Sequence, residues 1–247
     1  MAEKSVAAIV CAAGASNRFG RKEKKVFANV EGRAMFLRSL ERFSENTSVK
    51  QIILAVSPED EDRVKLKWGA NLSFFGVKVC LGGKARFETV ANALKHVRAD
   101  IDLVAVHDAA RCCITDQWIA DVIAKAGETG AAILACPVIA TIKKAVDGVI
   151  AGTVDRGQLW EAQTPQVFER KLLVEAYANL ANIDSSKISD DAGLVEAMGQ
   201  KVYIVESDTS NWKVTYPADT AVAEAIIKSR PRPKPEGLIG PYIEAQW

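Results

Sequence analysis

The sequence predicts an α/β fold: a mostly parallel sheet wrapped by helices. Short apolar runs alternate with segments of helical periodicity, and short connections join them, as crossovers between parallel strands require. The first apolar run, Val6 to Ala13, ends in Gly14 and a small polar loop that carries cations. With 247 residues the chain is long enough to bury a large core, as one big α/β domain or two small domains.

Val6–Ala13 is read as the first strand. Lys4 and the apolar run imitate a secretion signal, but the run is too short and Glu3 precedes it. Gly32 marks a turn; Met35, Phe36, Leu40 and Phe43 then recur at helical spacing. Gln51–Val56 is the second strand. Ser57-Pro58-Glu59-Asp60 reads as a helix start, with Ser57 as cap. Gly76–Leu81 is a strand ended by Gly82-Gly83, and Arg86–Val97 is a helix with Phe87, Val90 and Leu94 on one face. Asp102–Val106 is a strand running into His107-Asp108-Ala109-Ala110-Arg111. A helix follows the Thr115-Asp116 cap, and Ala131–Val138 is the next strand. Phe87 and Trp118 read as core residues.

The alternation breaks at Thr141. Thr141–Val146 and Val149–Val154 read as a β-hairpin turned at Asp147-Gly148, a protruding β-arm at about residues 139–165. Helices are expected from Arg170 to about Leu180 and from the Ser189-Asp190-Asp191 cap to Met198, with a strand at Val202–Val205 between that cap's helix and a last one ending near Lys228. Residues 1–229 are thus expected to form one domain. Residues 230–247 form a Pro-rich tail whose Leu238, Ile239, Tyr242, Ile243 and Trp247 could dock it.

Composition excludes several classes. Thirty-two basic residues against 31 acidic ones leave a net charge of +1, so no global field favours nucleic acid. The five cysteines (11, 80, 112, 113, 136) are odd in number and lack a CxxC pair. Reduced thiols in a cytoplasmic protein are expected, with Cys112-Cys113 as inert packing. No Cys/His set has zinc spacing, and no apolar stretch reaches the ~18 residues of a membrane span. His107, after a buried strand, reads as structural.

Strand ends are where such sheets bind ligands. The loop from Gly14 to Lys25 suits an anion: small residues let backbone N–H groups approach, and Arg18, Arg21, Lys22, Lys24 and Lys25 supply charge. It is neither a Walker A loop nor a dinucleotide fingerprint. A solvated charge run is the alternative for Arg21 to Lys25.

Taken together the strand ends carry a resemblance. Ala12-Ala13-Gly14…Arg18…Lys25 is followed by Gly82-Gly83…Arg86…Thr89-Val90 and by Val106-His107-Asp108-Ala109-Ala110-Arg111. Then come Thr141-Ile142-Lys143, Thr153-Val154-Asp155-Arg156, Thr164-Pro165-Gln166, Ser189-Asp190-Asp191-Ala192 and Lys213-Val214-Thr215…Asp219. In this order and near this spacing the set resembles the 2-C-methyl-D-erythritol 4-phosphate cytidylyltransferase family of the non-mevalonate isoprenoid pathway, from Ile9 to about Ile227. The resemblance implies a Rossmann-like sheet of the nucleotide-diphospho-sugar transferase type. It also implies transfer of CMP from CTP to methylerythritol phosphate, with Mg²⁺ or another divalent cation.

By the same resemblance Arg18 and Lys25 stabilise the transition state, while Arg156 and Lys213 position the attacking phosphate. Ala12, Ala13, Gly14, Ala15, Gly83 and Thr89 fall on positions that hold the nucleotide. Asp108 and Arg111 stand beside it, Asp108 as a sugar contact or metal ligand; a helix cap or a local ion pair with Arg111 is the alternative for Asp108. Thr141 falls on a polyol phosphate position. The arm would cross a homodimer, so that two copies share each site. Arg21, Lys22 and Lys24 are left as surface or loop charge. Ser16 stands where the family pattern has glycine, Lys24 where it has proline, and Lys84-Ala85 where it has Asp-Glu. Ser16 is therefore expected to restrict the loop, and Lys24 to leave it less rigid. Two alternatives stay open: a cytidylyltransferase for another polyol phosphate such as ribitol 5-phosphate, and a catalytically idle nucleotide-binding paralogue.

Overall fold

The computed structural model describes residues 4–20, 24–183 and 188–231. The expectations for Arg21, Lys22 and the tail from residue 232 onward lie outside the described residues.

Seven strands form the main sheet: β1 (Val6–Cys11), β4 (Val49–Val56), β5 (Val77–Leu81), β6 (Leu103–Asp108), β7 (Ala131–Pro137), β10 (Trp160–Glu169) and β11 (Tyr203–Glu206). Their order is β11-β7-β10-β6-β1-β4-β5. All pair in parallel except β10, which runs antiparallel to both β6 and β7. Two-residue strands β2 (Asn29–Val30) and β3 (Arg33–Ala34) make a small ribbon, and β8 (Ile142–Val146) pairs with β9 (Val149–Val154) as the arm.

The helices are α1 (Met35–Glu45), α2 (Glu61–Phe74), α3 (Arg86–Leu94), α4 (Asp116–Thr129), α5 (Arg170–Ala178), α6 (Asp191–Ala197) and α7 (Asp219–Ser229). Strand alternation divides the first six between the two faces, while α7 packs in a separate cluster with Val30, Met35 and Val214. Val6, Ala8 and Val10 pack with Phe36, Leu40 and Phe43 of α1, Val64 and Trp68 of α2 and Ile119 and Val122 of α4. Ile9 points the other way, toward Val90 and Ala93 of α3, Leu173 of α5 and Leu194 of α6. Both faces of β1 are buried, which explains its unbroken apolar sequence.

The pattern does not announce β10. The expected arm runs to about residue 165, yet Gln163, Thr164 and Gln166, all polar, are buried in the main sheet. Each has a partner that makes burial tolerable. Gln166 accepts from the Asp191 and Ala192 N–H groups at the start of α6, Gln163 accepts from the Ser207 hydroxyl, and Thr164 Oγ1 accepts from the Asp108 N–H. The ladder with β7 shifts register between Ala162 and Gln166, where Pro165 lacks an N–H. The hairpin itself spans residues 142–154, and Trp160 already belongs to the returning strand.

Smaller differences have local causes. Residues 58–60 form a 3₁₀ turn before α2, and the Ser57 hydroxyl donates to the Asp60 carboxylate instead of capping. Phe87 and Trp118 are half-buried; Trp118 sits at the core margin under the Arg230 guanidinium, 5.6 Å away. The arm turn is as expected, with positive φ at Asp147 (49°) and Gly148 (80°).

Candidate active site

β1 lies between β4 and β6: the chain runs from β1 outward through β4 to β5, then crosses back to β6 on the other side of β1. A crevice opens there, beyond the carboxyl ends of the strands. Its volume is about 270 Å³, and its lining includes Ala13, Gly14, Arg18, Lys25, Gly83, Lys84, Arg86, Thr89, Asp108 and Lys213.

The floor is built by close approach. A Cβ on Gly82 would sit 2.4 Å from the Ala13 Cβ, and one on Gly83 would sit 2.3 Å from the Glu88 Cβ. Thr89 Oγ1 accepts from the Gly83 N–H at 3.1 Å and donates to the Ala85 carbonyl, so it holds the loop in shape. Glu88 Oε2 accepts the N–H groups of Lys84 and Ala85. Gly14 is different: nothing lies within 4 Å of where its Cβ would be. A side chain there would project into open space at the crevice.

Among the described residues five cations line the crevice against one carboxylate, Asp108. Asp108 pairs with Arg86 Nε at 3.0 Å through one oxygen and with Lys213 Nζ through the other. Burial alone would raise its pKa, but Arg86 and then Lys213 hold it well below the usual carboxylate range. Arg86 also donates to the fully buried Asp191 at 2.7 Å, and Asp191 accepts from the Tyr177 hydroxyl. This puts Arg86 inside the site, a residue whose motif the sequence displays but to which no role was attached.

Lys25 is half-buried, and its Nζ donates to the Val214 carbonyl at 3.0 Å. Burial, then the neighbouring Lys213 charge, lowers its pKa. Arg18 is exposed at the rim. Ser16 takes the left-handed conformation, φ 58° and ψ 27°, so the loop bends as it would with glycine. The expected restriction is instead local strain. The Ser16 hydroxyl donates to the Gly14 carbonyl and accepts the Lys25 N–H. Lys24 is not surface charge: its side chain is 16% exposed and bridges Asp60 and Glu59.

Other expected residues stand outside the crevice. Ala12 is buried beneath it and Ala15 is exposed beside it. Arg111 is 6% exposed and donates to the Asn211 carbonyl at 2.7 Å, fastening the loop before Lys213. It does not pair with Asp108; burial lowers its pKa. Thr141 and Arg156 are exposed on the arm, with Arg156 donating to the Ile139 carbonyl.

His107 is fully buried, with Nδ1 against Thr164 Oγ1 at 3.1 Å, and burial pushes its pKa down to about 3. Cys11, on the crevice wall, is pushed up to about 12 by burial, so it stays a thiol and not a nucleophile. Among the described residues no group of three or more His, Cys, Asp or Glu side chains could hold a metal. Asp108 therefore fits a divalent ion only as one ligand of a site that phosphates and water complete. Among the described residues no helix is long and apolar enough to cross a membrane.

The arrangement can bind a polyphosphate and stabilise charge that grows on it. Among the described residues its lining shows no activated side-chain nucleophile, which suits a reaction whose nucleophile is a bound substrate. Comparison with known proteins agrees. The family model for 2-C-methyl-D-erythritol 4-phosphate cytidylyltransferase matches residues 6–229. A relative of that name from Rhodopirellula baltica is 40% identical over 236 residues, covering 90% of this chain and 95% of its own length. One from Chromobacterium violaceum is 39% identical over 227 residues, covering 90% and 98%. The crystal structure of 4-diphosphocytidyl-2C-methyl-D-erythritol synthase from Anaerococcus prevotii superposes with a TM-score of 0.78 at 26% identity, covering 92% of this chain and all of the other. That of the cytidylyltransferase from Thermus thermophilus gives 0.74 at 29% identity, covering 89% and 98%.

Proposed function

The chain belongs to the 2-C-methyl-D-erythritol 4-phosphate cytidylyltransferase family, and from that premise we propose how its crevice performs the reaction. The reaction transfers CMP from CTP to 2-C-methyl-D-erythritol 4-phosphate, with pyrophosphate as the second product. It serves isoprenoid precursor synthesis, and we place it in the cytoplasm.

An oxygen of the methylerythritol phosphate attacks the α-phosphorus of CTP. The bond from that phosphorus to the bridging oxygen breaks, and its electron pair leaves with pyrophosphate. Both reactants are anions, so the barrier is one of charge and alignment. Ala13, Gly14 and Gly83 line the space for the nucleotide, and Gly14 leaves it open where a side chain would project. Arg18 forks onto phosphate oxygens from the rim, while Lys25 supplies a point charge from within. Lys213, held by Asp108, takes the attacking phosphate and keeps it in line. A divalent ion, when bound at Asp108, neutralises phosphate charge.

The single observation that carries this reading is the convergence of Arg18, Lys25, Arg86 and Lys213 around Asp108 in one crevice. Thr141 and Arg156 are proposed to act from the arm of a second copy. Supporting this, the arm and its base expose Ile139, Val146, Val149, Ile150 and Trp160, at 71, 58, 71, 62 and 39%. So much apolar surface on a hairpin suits an interface.

The test supplies CTP, Mg²⁺ and either methylerythritol phosphate or ribitol 5-phosphate, and follows pyrophosphate release. Turnover with methylerythritol phosphate is expected. Turnover with ribitol 5-phosphate alone would reassign the substrate, and CTP binding without turnover on either would identify an idle paralogue.

A further inference from the structure

We infer that Lys24 is a positioning residue for Lys25, acting through a clamp to the start of α2, with Ser16 as its counterpart on the loop side. The inference rests on the role given to Lys25 above.

The two lysines are neighbours in the chain with opposite destinations. Lys25 Nζ reaches into the crevice and donates to Val214. Lys24 reaches away from it. Its Nζ lies 2.7 Å from Asp60 Oδ2 and 2.7 Å from Ser57 Oγ, and it also pairs with Glu59. Asp60 is 7% exposed and Ser57 is 6% exposed, so the anchor is embedded where β4 meets α2. Burial disfavours the Lys24 charge, but its hydrogen bonds to Asp60 and Glu59 more than offset that, leaving its pKa raised.

On the other side the Lys25 N–H donates to Ser16 Oγ at 3.2 Å. Ser16 stands two residues before Arg18, so one hydroxyl ties the backbone of Lys25 to the segment that carries Arg18. The backbone at Lys25 is therefore held from two directions, toward Ser16 and toward Asp60. A cation that must meet a developing charge gains from such fixing, because small misplacements cost large factors in rate. Lys24 itself does not line the crevice. Its φ of −61° is the value that a proline ring would fix, and its extended ψ of 141° is one that proline adopts readily, so rigidity at this position has two chemical routes.

The experiment is a double-mutant cycle read as kcat and KM for CTP, with thermal midpoints of each variant. Lys24→Ala should lower kcat about tenfold with KM for CTP changed less than about threefold. In a Lys25→Ala background the same change should cost less than about twofold, because the residue it positions is gone. Asp60→Asn, on the far side of the clamp, should reproduce the loss. Lys24→Pro should recover most of it. An unchanged kcat in both Lys24→Ala and Asp60→Asn overturns the inference, and so does an equal loss in the Lys25→Ala background. If Lys25→Ala alone leaves kcat untouched, the role of Lys25 falls first, and the two failures are thereby told apart.

Discussion

Each cation in the crevice is defined by its partners. Lys213 and Arg86 are spoken for by Asp108 in the free protein, whereas Arg18 stands exposed at the rim. On the proposed roles, Arg18→Ala and Lys25→Ala are each expected to lower kcat by roughly 10²-fold, measured by pyrophosphate release, since each removes a cation from the developing phosphate charge. The lowered pKa of Lys25 adds a pH signature. A lysine acts here only when protonated, so kcat/KM should fall as pH rises through a value below the ordinary 10.5, and that limb should be absent in Lys25→Ala. Cys11 shows the converse: a thiol on the crevice wall whose burial keeps it from reacting.

Secondary elements differ in how far their own residues announce them. The arm does so plainly, because Asp-Gly at a two-residue turn dictates a hairpin. Its exposed apolar strands lead to a prediction about assembly. If the proposed dimer forms through the arm, replacing Val149 and Ile150 with Asp should leave the sheet folded, turn that dimer into a monomer by sedimentation, and raise KM for the polyol phosphate at least about tenfold. A wild-type protein that is both monomeric and active would remove the shared site. β10 is the opposite case. Its buried Gln163, Thr164 and Gln166 are polar because they cap α6, meet Ser207 and brace Asp108. None of those partners is near in sequence.

At the scale of the molecule the sheet centre carries a titratable burden beside the site. His107 is neutral and buried between Phe43 and Thr164, with a pKa near 3 against an ordinary 6.5. As pH falls below 6.5 the unfolded chain takes up a proton that the folded one refuses, so stability should decline steadily toward pH 3. Asp108 has a lowered pKa, and its contribution is lost only further down, as the pH drops below the ordinary carboxylate range. Between pH 6.5 and 4.5 the slope thus belongs mainly to His107. His107→Asn should be less stable at pH 7 but flatter over that window, as read by urea unfolding.

Fold class, the first strand, most helices and the strand-end motifs were legible in the sequence. They depend on periodicity, on caps and on turns, which act between residues close in the chain. Gly82 and Gly83 were visible as glycines, but the need for them, close packing on Ala13 and Glu88, was not. Arg111, expected beside the nucleotide, donates to the Asn211 carbonyl, and Lys24, expected as surface or loop charge, bridges Asp60 and Glu59; neither partner is visible in the sequence. The place of β10, the pairing of Arg86 with Asp108 and Asp191, and the gathering of Lys25 with Lys213 came only from tertiary structure. The reason is physical: a charge's role is set by what desolvates and faces it, and here those groups lie tens to almost two hundred residues away, joined only when the sheet forms.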